Sequence, residues 1–303
     1  MTAEGVIPKQ NGRIPLKPQI GDGGGVDESL RRLSTVSPVP PRKRSRALFS
    51  PNPPRWEPAV IIVGIVVALF VLWEVLADVG VISTFFWSKP SLIWQSAITN
   101  ARSGTLLQDT AFTFQATLWG FLVGAIGGSL IGLTFWWSKL YWKVSEPLLI
   151  VFEAMPKLAL APMIVLAFGI GMTSKVVVAA ALVIVIQTLN TSVAVSGVDH
   201  DLQALMYSLG ASRMQVFTKI VLPSTLPDIL SSFRVAIGLS LTGAIVGEYM
   251  GSEHGLGKSI QMAASNFDMS LIWVGVFTLA LLSMVLYLAV VLLEAVVDRI
   301  IHH

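Results

Sequence analysis

Long stretches of this chain carry no charge at all, and this constrains its fold more than any other feature. Ala59–Trp73, Thr110–Ser138, Leu158–Ser174, Val176–Val198 and Leu271–Leu293 run without Asp, Glu, Lys or Arg. A helix needs about 20 predominantly apolar residues to cross the hydrocarbon of a bilayer. Inside that hydrocarbon the backbone must satisfy its own hydrogen bonds, which leaves helices as the economical solution. The expected fold is therefore all-α and polytopic. Composition agrees, since 53% of the 303 residues are hydrophobic and 13% charged, about half the charge of a soluble domain.

The first span can continue past Glu74 to Ala77, with Glu74 at the membrane interface. The third is expected to begin near Leu148 and to be interrupted by Pro156 and Pro162. A fifth, shorter span fits between Arg234 and Glu248 if Arg234 snorkels to the interface. Six crossings bring the chain back to its starting side. That topology puts Arg42, Lys43, Arg44, Arg46, Arg55, Lys139, Lys143, Arg213, Lys219, Arg234 and Arg299 on the cytoplasmic side. Only Lys89, Arg102, Lys175 and Lys258 fall outside. The bias predicts that both termini are cytoplasmic. Phe85–Gln108 is too polar to cross and is expected along the outer face as a short interfacial helix. Residues 1–56, rich in Pro and Gly, read as a disordered cytoplasmic tail, and residues 57–303 as the six-helix membrane domain. Within the tail, Arg31-Arg32-Leu33-Ser34 reads as a chance match to a kinase site.

Several function classes drop out. The chain has no Cys, so disulfides, thiolate metal sites and thiol nucleophiles are excluded. His200 and His254 fall on opposite sides, and His302 and His303 close the chain, so no metal site is expected. No hydrolytic triad or other catalytic cluster is evident, and no nucleic-acid partner is indicated. "GLGKS" at Gly255–Ser259 resembles the end of a P-loop, but Ser252 occupies the position of the required first Gly. The topology also places it outside, so it reads as a decoy.

Gly120, Gly124, Gly128 and Gly132 recur every fourth residue, and Gly243, Gly247 and Gly251 repeat the pattern in the fifth span. Such stripes let helices approach closely, either within one subunit or between subunits. Among intramembrane charges, Glu153 and Lys157 are four apart and can pair. They serve a structural ion pair or the path of a moving solute. Glu248, near the outer end of the fifth span, fits a gate or a packing contact.

One cytoplasmic passage, about residues 199–222, is polar and amphipathic. Leu202, Leu205, Met206 and Leu209 follow helical spacing. Asp199 or Asp201 opens the helix and Gly210 ends it. Ser212 with Gln215 forms a capping-box pattern for a second helix, which Pro223 and Pro227 are expected to stop. On pattern alone this is either a docking element or a helix resting on lipid.

"LGASRMQVFTKIVLPSTLPDIL" resembles the cytoplasmic signature of binding-protein-dependent ABC transporter permeases. "PKLALAPMIVLAFGIGMTSK" (Pro156–Lys175) and "VGEYMGSEHGLGKSI" (Val246–Ile260) resemble the subgroup serving nitrate, sulfonate, taurine, bicarbonate and certain vitamin precursors. The resemblance covers about residues 58–298. The family's signature opens on Glu-Ala-Ala, where this chain has Ala204, Leu205 and Met206.

The resemblance implies a type I importer permease in the bacterial inner membrane, with a coupling helix between the fourth and fifth spans. It implies that Ala204, Leu205, Met206, Leu209, Gly210, Ser212 and Arg213 meet the ATPase, and that Glu153, Lys157 and Glu248 lie on the solute path or gate. The implied partners are two ATPase subunits carrying ATP and Mg, a second, identical permease subunit, and a periplasmic binding protein that delivers a small anionic solute. No cofactor sits on this chain. The competing reading is a secondary transporter or channel that works without ATP.

Overall fold

The computed structural model describes residues 56–301; the expected N-terminal tail, with its kinase-like run, and His302 and His303 lie outside them. From Ile62 onward the chain forms one compact unit. Among the described residues there is no strand.

The spanning helices are α1 (Glu57–Asp78), α4 (Thr105–Thr134), α7 (Met172–Ser196), α10 (Leu222–Met250) and α12 (Met269–Ile301). A sixth crossing is made by a bent pair, α5 (Lys139–Ala154) and α6 (Ala161–Phe168). The two arms of this span meet at 74°. It starts at Lys139 rather than near Leu148, and it ends at Phe168, so Ser174 belongs to the next helix. Pro147 is tolerated inside α5, Pro162 sits in the first turn of α6, and the break falls at Met155–Pro156. The residue before a proline is pushed toward extended backbone, and Met155 has ψ 140°.

Two short helices, α2 (Thr84–Trp87) and α3 (Pro90–Arg102), join α1 to α4. Glu74 accepts from the Ser91 amide at 3.0 Å, and Lys89 donates to Asp78 at 2.8 Å. That hydrogen bond holds the Lys89 ammonium above its ordinary pKa.

The core is a three-helix unit of α4, α7 and α10. About half of the most apolar window of each of these helices is buried, against none in α1 and 17% in α12. All four glycines of the α4 stripe are buried. They face Ala179, Val183, Gln187, Thr188 and Thr191 of α7, so the stripe serves packing within one chain. Gly243 of α10 lies against the Ala179 backbone, and Ser240 donates to the Thr117 carbonyl at 2.6 Å. Gln187, fully buried, donates to Ser129 at 3.1 Å and accepts from Ser232 at 3.0 Å, which ties the three helices by one amide.

Two expectations fail around the fifth span. The prolines do not stop the helix. After α8 (His200–Ser208) and α9 (Arg213–Val216), a π-helical turn over Phe217–Val221 leads without a break into α10. Pro223 and Pro227 lack the amides that would bond Lys219 and Pro223. The first of those carbonyls lies in the widened turn, and Thr225 donates its hydroxyl to the Val221 and Leu222 carbonyls at 2.9 and 3.2 Å. Arg234 also does more than snorkel: it pairs with Glu294 of the last span at 2.7 Å.

Candidate functional site

At one end of the bundle, α8 stands on two local stops. Asp199 caps it by accepting from the Asp201 amide at 2.8 Å. At its other end the Gly210 amide reaches the Tyr207 carbonyl and the Ala211 amide reaches the Met206 carbonyl, both at 3.0 Å. This is a Schellman closure, and it requires a left-handed residue, here Gly210 at φ +82°. The expected capping box forms: Ser212 accepts from the Gln215 amide at 3.3 Å, and Gln215 accepts from the Ser212 amide at 2.8 Å.

The apolar face of α8 divides. Met206 turns inward against Val195, Val198, Val216, Ile220 and Val221. Leu202, Leu205 and Leu209 point out, at 44, 55 and 74% exposure. Ala204 is also exposed. Gln203, buried, accepts from the Trp136 indole at 3.3 Å and donates to the Val198 carbonyl at 3.3 Å. The Arg213 guanidinium lies 5.3 Å from the centroids of both Trp136 and Trp137 and donates to the Trp137 carbonyl. Arg213 is thus a brace between α9 and the end of α4 rather than a free contact.

The opposite end is locked by a buried polar cluster. Glu248 has no exposed surface. Its carboxyl accepts from Thr113 at 2.8 Å and from the Gly257 amide at 2.7 Å. Thr113 in turn accepts from the Leu256 amide at 2.9 Å, and Asp109 accepts from the Gly255 amide at 2.9 Å and from the Ser259 hydroxyl. All three amides at the start of α11 (Leu256–Ser265) are therefore spent on side chains of α4 and α10. In the P-loop-like "GLGKS" the Gly255, Leu256 and Gly257 amides are thus not free to cradle a phosphate.

Lys175, expected on the outer surface, is fully buried in the first turn of α7. It donates to the Ile170 carbonyl at 2.6 Å and to the Gly251 carbonyl, just past the C-termini of α6 and α10. A cation there complements two helix ends at once.

Glu153 and Lys157 do pair, at 2.7 Å, across the elbow between α5 and α6. The α8 segment, the elbow and the Glu248 cluster remain separate; the structure does not bring them together. Sequence reasoning missed Thr113, Asp109 and Lys175. The only signal for the first two was their spacing of four on one face of a span that otherwise reads as apolar. Among the described residues no cluster of His, Asp and Glu could hold a metal.

The pattern of the family described as binding-protein-dependent transport system inner membrane component matches residues 120–303. The chain belongs to this family, that of ABC transporter permeases. Among its relatives, a riboflavin transport system permease protein of Chloroflexus aurantiacus is 34% identical over 274 residues, covering 89% of this chain and 98% of the relative. A formylaminopyrimidine transport permease protein of Halalkalibacterium halodurans is 32% identical, covering 75% of this chain and 90% of the relative. The taurine transport system permease protein of Escherichia coli is 25% identical, covering 75% and 84%. A solved amino acid ABC transporter, crystallised with histidines, shares the permease fold at TM-score 0.51 and 17% identity, over 66% of this chain and 96% of that one. In this permease α8 and, from the buried cluster, Glu248 and α11 fall inside the matched region, whereas Asp109 and Thr113 of that cluster precede it, as do α1, α2 and α3.

Proposed function

We propose that this permease forms the translocation path of an ATP-binding-cassette importer in the bacterial inner membrane, as a pair of identical subunits with both termini in the cytoplasm. Two partner ATPase subunits carry ATP and Mg, and a periplasmic binding protein delivers the solute. The observation that carries this reading is the leucine ridge on α8. Three large apolar side chains project from a short helix that is capped at its start, closed at its end and braced to the bundle. Such a helix transmits a push as a rigid body. A ridge of leucines exposed among the described residues suits a groove on a partner. The distribution of Lys139, Lys143, Arg213, Lys219 and Arg234 toward the α8 end supports a cytoplasmic placement.

For the solute, relatives above 30% identity are named for riboflavin and formylaminopyrimidine, and those at 25–28% for taurine and sulfonates. Lys157 is neutralised by Glu153, which removes the residue that favoured a small anion. We therefore place a heterocyclic vitamin or its precursor ahead of the nitrate, sulfonate, taurine or bicarbonate type. Glu153 and Lys157 then set the elbow geometry beside the path.

The test is docking. The pair Leu205→Asp and Leu209→Asp should leave a folded permease but reduce ATPase co-purification by about thirtyfold or more, as loss of central apolar anchors does. A permease that transports on an ion gradient alone, with no bound ATPase, would overturn the reading. Gly210→Val should act differently. Its Cβ meets nothing within 4 Å, so the cost is backbone strain of about 1–2 kcal/mol at a left-handed position. The ATPase should still bind, while solute moved per ATP hydrolysed falls. Unchanged coupling in reconstituted vesicles would show that the closure of α8 is dispensable.

A further inference from the structure

Between the end of α4 and the start of α8 lies a cavity of about 240 Å³, lined by Phe135, Lys139, Trp142, Lys143, His200 and Gln203 among others. Its chemistry is uneven. Two lysines, four apart on the first turns of α5, converge with a histidine of α8, and among the described residues no carboxylate lines the space. Asp199 and Asp201 are close in sequence, but Asp199 is engaged in capping α8. Among the described residues neither lysine makes an ion pair. Cations at the start of a helix also run against its dipole, so helix stability does not account for them.

The position is equally specific. Phe135, Trp136, Trp137, Tyr141 and Trp142 gather at this end of α4 and α5, and aromatic belts of this kind mark the headgroup level of a bilayer. Beside the lysines, Leu140, Val144, Leu148 and Val151 form an exposed apolar stripe down α5, each more than half exposed. A basic pocket at headgroup depth above an apolar track matches one class of molecule in both charge and shape.

We infer that this cavity binds the phosphate headgroup of an anionic phospholipid, with its acyl chains along the α5 stripe. His200 and Gln203 come from α8, so the bound lipid bridges the broken span and the coupling helix. The assignment of the leaflet as cytoplasmic rests on the topology proposed above; the lipid class does not.

The experiment uses the full chain in detergent, exposed to mixed phosphatidylglycerol and phosphatidylcholine micelles, with retained lipid counted by native mass spectrometry. The wild type should retain phosphatidylglycerol selectively. The double substitution Lys139→Gln, Lys143→Gln should lower its affinity by about thirtyfold, from roughly fivefold per basic residue at a membrane surface. The double substitution Lys139→Arg, Lys143→Arg should preserve retention and controls for folding. Millimolar inorganic phosphate should not displace the lipid. Equal retention by wild type and the glutamine pair would overturn the proposal, as would displacement of the lipid by inorganic phosphate. Sidedness is read separately. The chain has no cysteine, so Leu209→Cys can be labelled with an impermeant maleimide in vesicles of known orientation. Labelling from outside would refute the coupling topology and leave the lipid measurement intact.

Discussion

Replacing Glu248 by Ala is expected to unfasten the end of the bundle opposite α8. The carboxyl receives the Thr113 hydroxyl and the Gly257 amide, and both are buried. Removing it orphans two donors at about 1–3 kcal/mol each, before any cavity is counted. Water cannot rescue them cheaply at this depth. The loop from Gly251 to Gly255 would lose its anchor through α11, so proteolysis in that loop should accelerate and the melting temperature should fall. Glu248→Gln should be milder, since its amide oxygen can still accept from Gly257. If the alanine variant melts like the wild type with an equally protected loop, the cluster is not a lock.

Gly128→Val is expected to be at least as damaging, for a different reason. A Cβ built on Gly128 would lie 2.6 Å from the Ile184 carbonyl oxygen and 2.8 Å from the Gln187 Cβ. Backbone atoms of a neighbouring helix cannot step aside singly, so α4 and α7 must separate along their length. Packing is the main force joining helices in lipid, and overpacking costs about 1–3 kcal/mol or more. The separation would also strain the Gln187 bonds to Ser129 and Ser232. Gly238→Ala is the matched control, because nothing lies within 4 Å of its Cβ. Fluorescence-detected size exclusion should show a monodisperse peak for Gly238→Ala and loss of folded material for Gly128→Val. Equal behaviour of the two would refute the close-approach account.

Much of this architecture was legible because charge-free runs and fourfold glycine spacing are one-dimensional signals. The capping box at Ser212 and the cap at Asp199 were also legible, since each is settled by a few neighbouring residues. The continuous fifth helix was not. Proline stop signals presume an α-helical ladder, and the π turn at Phe217–Val221 changes which carbonyls are left over. Lys175 was misplaced because a charge next to a glycine turn reads as surface. Its burial depends on two carbonyls from distant helix ends that meet only in the fold. The partners of Glu248 were hidden for the same reason: Thr113 is 135 residues away in the chain.

The turn at Phe217–Val221 also sets the angular phase between the two ends of the bundle. Each residue of an α-helix advances the side chains by about 100°. A chain shortened by one residue there would turn α10 by about 100°, more than a quarter of a revolution, and Ser240, Gly243 and Glu248 would miss Thr117, Ala179 and Thr113. The distance from the leucine ridge to the buried carboxyl is therefore gauged in rotation as well as in length, so segments exchanged between such proteins must conserve the residue count across this turn.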